Sequence, residues 1–305
     1  MTLRRFTPAL PVCLALIGAF IMMARSARAD GTSMVASGAP AVGATVADST
    51  GQGILFPFEL LDDAFQDNVD AKSGMVNYEK MHSDPHLRAF LEAVANADRS
   101  KFPVFTSIVD DPDHPGKQMK VDDRTPELAF LIDAFNATVV KTISDNPGIG
   151  GPYEIKDFTS AKTHVIAGKT YSLAQLKDEI AQRDPRALFA LNDGTKGAPV
   201  LMPFAYRFSE LNELLNLVAS NFINDPNNVD PLEIKGVVTV SQYFAQFNDY
   251  FKPKASRKPD DGLRRLLGVY YKARDRSYLL TDDYVFNFKA SDQSLNRQKS
   301  ALDHS

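Results

Sequence analysis

From Ile54 onward, apolar residues recur at helical spacing, broken by short alternating runs. Phe58, Leu61, Ala64 and Phe65 keep a period near that of a helix, as do Leu87, Phe90, Leu91 and Val94. Thr125-Pro126-Glu127 predicts a helix start, with Thr125 as a hydroxyl N-cap, proline at the first position and an acid in the first turn. The run that follows, LAFLIDAFNATVVKTI, is apolar nearly all round, which places it at the centre of a core; Asn146-Pro147-Gly148 closes it. HVIAGKTY, His164–Tyr171, predicts a hairpin turning at Ala167-Gly168-Lys169. Ser172 and Gln175 form a capping box for LAQLKDEIAQR, which Asp184-Pro185 stops. LFAL then reads as a strand that empties into the turn NDGTKGAP. Ser209 is expected to cap a helix with Leu211, Leu214, Leu215, Val218 and Phe222 on one face. A second hairpin is expected near Leu232–Val240, turning at Lys235-Gly236, with helices after it around Phe244–Phe251 and over Leu263–Tyr271. Many helices with few scattered strands give an α+β fold, mainly helical with short antiparallel hairpins.

The segment ahead of this pattern is of another kind. Arg4 and Arg5 precede an apolar run, Val12–Met23, too short for a comfortable membrane span, and Ala27-Arg28-Ala29 fits a small-x-small cleavage site. Residues 1–29 read as a signal peptide cut before Asp30, with an uncleaved anchor as the alternative. The two arginines raise twin-arginine export beside general secretion, although Leu3 and Thr7-Pro8 fit it poorly. Residues 30–53, rich in Gly, Ala, Ser and Thr, read as a flexible linker, and residues 54–305 as a single domain. The expected location is periplasmic or extracellular, with no stable membrane span after cleavage.

Processing changes the charge. The chain has 34 Lys+Arg and 38 Asp+Glu; residues 1–29 carry four arginines and no acid, so 30 bases face 38 acids in the remaining 276 residues, a net charge of −8. An acidic chain without a basic stripe is a poor partner for nucleic acid. The only cysteine, Cys13, lies in the apolar run, so the processed chain has no thiol for catalysis, disulfides or metal.

The remaining chemistry is sparse. His82 and His86 flank Asp84 at ligand-like spacing, but Pro85 breaks the helix that would align them, and no metal site is assigned. His164 is placed at a hairpin edge. Asp110, Asp111 and Asp113, with His114, form an acidic loop that could hold a cation weakly or simply be solvated. Gly194-Thr195-Lys196-Gly197 lacks phosphate-loop spacing, and there is no GxSxG elbow. No cofactor is implied.

Six segments in order carry a resemblance: SGMVNYEKM (Ser73–Met81), FLIDAFNATVV (Phe130–Val140), YSLAQLKDEIA (Tyr171–Ala181), DPRALFALNDGTKGAPVL (Asp184–Leu201), FINDP (Phe222–Pro226) and DQSLN (Asp292–Asn296). Together they make the chain resemble the family known as domain of unknown function 547, from about Phe58 to Asn296. The resemblance implies a His on the capped helix, a His in the LFAL segment and two Cys in the turn. Here those positions hold Asp178, Leu188, Asp193 and Ala198. Asn136, Asn192, Pro199 and Leu201 are kept.

A scaffold kept without its reactive groups implies a non-catalytic, pseudoenzyme-like domain. It would bind a protein, peptide or envelope component through a groove beside Asn192–Pro199, with Asn136, Asp178, Asn192 and Asp193 as candidate ligand-binding residues. The alternative is a hydrolase or transferase in which Asp178 and Asp193 pair as acid and base while Asn136 or Asn192 stabilises an oxyanion. At single residues a plainer reading stands beside both: Asn136 satisfying buried main chain, Asn192-Asp193-Gly194 as an ordinary turn.

Overall fold

The described residues open on three helices, α1 (Glu59–Asn68), α2 (Tyr78–Ser83) and α3 (Pro85–Asn96). Asp84 separates the last two: its carboxylate accepts the Leu87 N–H at 2.9 Å, and Pro85 takes the first helical position, where it has no N–H to leave unpaired. The computed structural model describes residues 56–110, 117–234, 236–252, 259–272, 276–280 and 284–298. The expected signal peptide at 1–29, the linker at 30–53, and Asp111, Asp113, His114 and Lys235 lie outside the described residues.

A two-stranded antiparallel ribbon follows, β1 (Phe105–Asp110) with β2 (Gln118–Asp123), paired from Phe105↔Asp123 to Asp110↔Gln118. The sequence pattern did not foresee it, because β2 is exposed along its whole length and carries no buried alternation. The ribbon leads into α4 (Thr125–Ser144), the expected central helix, buried from Pro126 to Val140 and packed against α2 and α3. Its start differs from expectation. Thr125 does not cap it; Asp123 Oδ1 instead accepts the Thr125 N–H at 2.8 Å and its hydroxyl.

The expected hairpin forms as β3 (His164–Ile166) and β4 (Lys169–Tyr171). Ala167 and Gly168 turn it at φ +50° and +72°, and their N–H groups donate to Val94 and Ala95 carbonyls at 2.8 Å, so the hairpin tip satisfies the open end of α3. The capping box opens α5 (Leu173–Arg183), which packs on α4.

LFAL is not a strand. Pro185–Ala190 is a 3₁₀ helix started by Asp184, whose carboxylate accepts the Arg186 N–H at 2.9 Å. Ala187, Leu188, Phe189 and Ala190 are all buried, so the segment has no polar face to produce strand alternation. Phe189 stacks on Phe247 at 4.5 Å within a cluster that includes Phe222, Tyr243 and Phe244.

A short 3₁₀ turn, Phe208–Glu210, precedes α6 (Leu211–Ile223), and Ser209 makes no cap there. The second hairpin is β5 (Val229–Ile234) with β6 (Val237–Ser241), turning through Gly236 at φ +80°. A 3₁₀ helix (Gln242–Gln246), α7 (Asn248–Phe251) and α8 (Asp261–Tyr270) follow, then α9 (Arg276–Leu279). The strand β7 (Val285–Lys289) pairs in parallel with β6, giving the order β5-β6-β7. That parallel pair was not foreseen, since its partner lies more than forty residues back.

The terminal strap, residues 291–298, crosses the NDGTKGAP turn. Lys196 and Gly197 N–H groups donate to Ser294 and Asp292 carbonyls at 2.9 and 2.8 Å, and the Asn296 N–H donates to the Gly194 carbonyl at 2.9 Å. Segments far apart in sequence thereby meet around one turn.

Candidate functional site

The turn is held from behind by a chain of buried asparagines. Asn136 on α4 donates its amide to the Ala190 carbonyl at 2.9 Å and accepts the Asn192 N–H at 3.0 Å. Asn192 donates to the Pro199 carbonyl at 2.7 Å, and its Oδ1 accepts from Gly194 N–H and from Asn296 Nδ2 at 2.8 and 3.1 Å. Asn296 in turn accepts the Tyr78 hydroxyl at 2.5 Å. All three asparagines are buried. Gly194 sits at φ +87° with the α4 residue Ile143 against it; a Cβ there would stand 2.2 Å from Ile143 Cδ1. The positive φ favours glycine, and a side chain there would also have to displace the Ile143 methyl.

In front of the turn lies a cleft of about 430 Å³. Its floor is apolar: Phe135 and Val139 from α4, Leu173 from α5, Leu191 and Phe158, all buried. Its rim is polar and comes from separate elements: Tyr153 and Thr159, Lys177 on α5, Asp193 in the turn, Gln242 and Gln246 of the 3₁₀ helix, and Ser291 and Gln293 of the strap. A concave apolar floor with a few converging polar groups is the common form of a small-ligand site.

Asp193 is partly buried. Its Oδ1 accepts from the Thr195 N–H and hydroxyl at 3.0 and 2.7 Å, which fixes the carboxylate, and its Oδ2 accepts the Tyr153 hydroxyl at 2.8 Å. Burial, then the Asp193 carboxylate, push the Tyr153 phenol above its ordinary pKa, so it remains a donor throughout the physiological range. Burial likewise raises Tyr243, whose hydroxyl stands 3.5 Å from the Leu188 and Leu191 carbonyls. Across the rim, Lys177 Nζ donates to Gln246 Oε1 at 2.8 Å.

The four candidate residues therefore separate. Asp193 lines the cleft. Asn136 and Asn192 lie behind it with both polar atoms of each amide engaged within the protein, an arrangement that holds the turn rather than offering a donor to an oxyanion. Asp178 is exposed and accepts the Tyr250 hydroxyl at 2.8 Å, and burial followed by that carboxylate pushes Tyr250 up to about 12. Among the described residues Asp178 and Asp193 share no hydrogen-bond partner. Of the other two positions where the resemblance implies reactive groups, Leu188 is fully buried and Ala198 is buried.

The metal candidates separate too. His82 Nδ1 lies 3.0 Å from Asp145 Oδ1, while His86 Nδ1 lies 3.9 Å from Asp84. Among the described residues no three His, Cys, Asp or Glu side chains gather closely enough to hold a metal. His164 is half-buried, and burial lowers its pKa. No described helix is long and apolar enough to cross a membrane.

Residues 119–223 match the model of the family described as Protein of unknown function, DUF547. Over that segment, about a third of the chain, the sequence is similar to the DUF547 family. The match runs from β2 to the end of α6 and includes Asn136, the capped helix α5 and the whole Asn192–Pro199 turn. No curated protein and no solved structure matches the chain. Tyr153, Lys177, Gln246 and Gln293 were not singled out in the sequence, because four separate segments supply them and no local motif joins them. Asn296 and Tyr78 lay inside the quoted motifs DQSLN and SGMVNYEKM, which was the one signal available for them.

Proposed function

We propose that this protein is an exported, non-catalytic binding domain that holds its ligand in the cleft beside the Asn192–Pro199 turn. The carrying observation is the division of labour around that turn. The kept asparagines brace it from behind, while the position where the resemblance implies a cysteine presents a fixed carboxylate, Asp193, to the cleft. A carboxylate held by Thr195 and Tyr153 is suited to receiving a donor or a cation; it is not a nucleophile of the thiol class. The leader at 1–29 supports export, which would place the ligand among envelope or extracellular components.

The test has two parts. Mass spectrometry of the chain purified from its expressing cells is expected to show a new N-terminus at Asp30, in material recovered outside the cytoplasm; an intact N-terminus in the cytoplasmic fraction refutes export. A thermal-shift screen of amino acids, short peptides and sugar fragments is expected to give a stabilising ligand that is recovered unchanged after prolonged incubation. Recovery of a cleaved or modified ligand would make the domain an enzyme.

A further inference from the structure

The cleft carries one fixed cation and one fixed anion that do not meet. Lys177 and Asp193 both line it. Among the described residues neither stands in an ion pair: Lys177 Nζ has the neutral Gln246 Oε1 at 2.8 Å, and Asp193 has Tyr153 and Thr195. Elsewhere in the protein Arg99, Arg183, Arg186, Arg207 and Arg264 each meet a carboxylate. Each with neutral partners, over a floor of Phe135, Leu173 and Leu191, the two charges present opposite signs to whatever enters.

Resting on the binding reading above, we infer that the ligand is a small zwitterion with an apolar body: a free amino acid or a short unblocked peptide. Its α-ammonium donates to Asp193 Oδ2, taking the place of the Tyr153 hydroxyl or sharing the oxygen with it. Its carboxylate accepts from Lys177 Nζ, and its side chain lies on the apolar floor. When the cleft is empty, Tyr153 and Gln246 are the neutral partners of the two charges. The volume of about 430 Å³ admits one to a few residues and is too small for a folded partner.

The test titrates the purified, isotope-labelled chain with L-phenylalanine, Gly-Phe and Gly-Gly-Phe, reading backbone amide shifts. One member of the series is expected to move the amides of Leu173, Leu191 and Gln246, and the length that binds best separates a free amino acid from a peptide. Acetylating the amino group of that probe, or amidating its carboxylate, is expected to weaken binding about 10-fold or more, as loss of a charge-assisted hydrogen bond does. Asp193→Asn should weaken the free probe but leave the acetylated one unchanged, and Lys177→Met should spare the amidated one in the same way. The blocked probes need no substitution, so the test stands even where a variant folds poorly. Blocked and unblocked probes binding alike would overturn the inference. Cleft shifts from a neutral disaccharide with none from the three zwitterions would overturn it while leaving the binding reading intact; no cleft shift from any probe would sink both.

Discussion

Two groups of charged residues draw members from opposite sides of one helix, α5, and behave oppositely. On one side Glu179 joins Arg99, Arg183 and Glu127 in a closed ring. Arg99 Nε reaches Glu127 at 2.5 Å, Arg183 reaches Glu127 and Glu179 at 2.8 and 3.2 Å, and Arg99 also bonds Glu179. The Tyr171 hydroxyl donates to Glu179 at 2.8 Å and accepts from Arg99 at 2.9 Å. On the other side Lys177 faces the cleft with only a glutamine, opposite an Asp193 that has only hydroxyls and an amide. The ring has the form of a structural device, because each charge is met by its opposite, and only Arg183 Nε is left buried without a partner. The cleft charges have only neutral partners among the described residues, and that makes them the better functional candidates.

The sharpest way to break this contrast is to open the ring. Glu127 is almost wholly buried, and Glu127→Gln leaves Arg99 and Arg183 sharing Glu179 alone. The expected loss is about 3 kcal/mol in urea unfolding, the usual consequence of leaving a buried charge uncompensated. A loss below the scatter of surface mutations would demote the ring to ornament. The same ring contributes to the acid limb of stability. Burial alone would raise the Glu179 carboxyl, but hydrogen bonds from Arg99 and Tyr171 outweigh it and bring the group down to about 2. A depressed folded pKa contributes stability that is complete above the ordinary value of 4.5 and is lost as pH falls towards about 2. Melting temperature should drop through that window, and less steeply in Glu179→Gln.

Second in size is the asparagine chain behind the turn. Asn136→Ala strands the Ala190 carbonyl and the Asn192 N–H in the core, at a cost of about 2 kcal/mol. Because the turn carries Asp193, the shifts produced by any cleft ligand should weaken as well. A variant of wild-type stability would mean that Asn136 does not brace the turn.

Asp133 is the third case, a buried acid with neither a ring nor a cleft. Its Oδ1 accepts the Tyr206 N–H at 2.9 Å, while its Oδ2 and the Tyr206 hydroxyl have no partner among the described residues. Burial holds its pKa well above the ordinary 3.8 despite Arg207 nearby. A raised folded pKa means that the unfolded chain releases the proton first, so stability falls as pH climbs above about 3.8. Asp133→Asn keeps the acceptor and removes the titration. It should gain about 1 kcal/mol at neutral pH, with the gap from wild type widening as pH rises from 4. A constant gap would show that Asp133 does not titrate in this range.

What the sequence revealed of this arrangement follows a physical division. Local signals survived: the all-apolar run became the buried α4, and the Ser172–Gln175 box opens α5 where expected. Burial on every side misled, turning LFAL into a strand on paper and a 3₁₀ helix in the fold. Pairing between distant segments left no local trace, so β7 beside β6 and the strap over the turn went unread. The site divides the same way. Asp193 was found because it occupies a marked position in an ordered motif. Lys177, Tyr153 and Gln246 were not, because only folding brings them to one rim.

The smallest expected effect is the one that bears most on function. Without ligand, Asp193→Asn should retain one acceptor for Thr195 and lose a charge that nothing neutralises, so its stability should stay within about 0.5 kcal/mol of wild type. Lys177→Met, which removes a cation held only by Gln246 and keeps the chain that packs beside the cleft, should do the same. Chemical unfolding of both variants, beside Glu127→Gln on the same axis, gives the comparison directly. Near-neutral cleft variants beside a crippled ring variant are the pattern of charges kept for binding and charges kept for folding. If Asp193→Asn instead unfolds as readily as Glu127→Gln, Asp193 is a brace like Asn136, the cleft loses its anion, and the zwitterion has no partner for its ammonium.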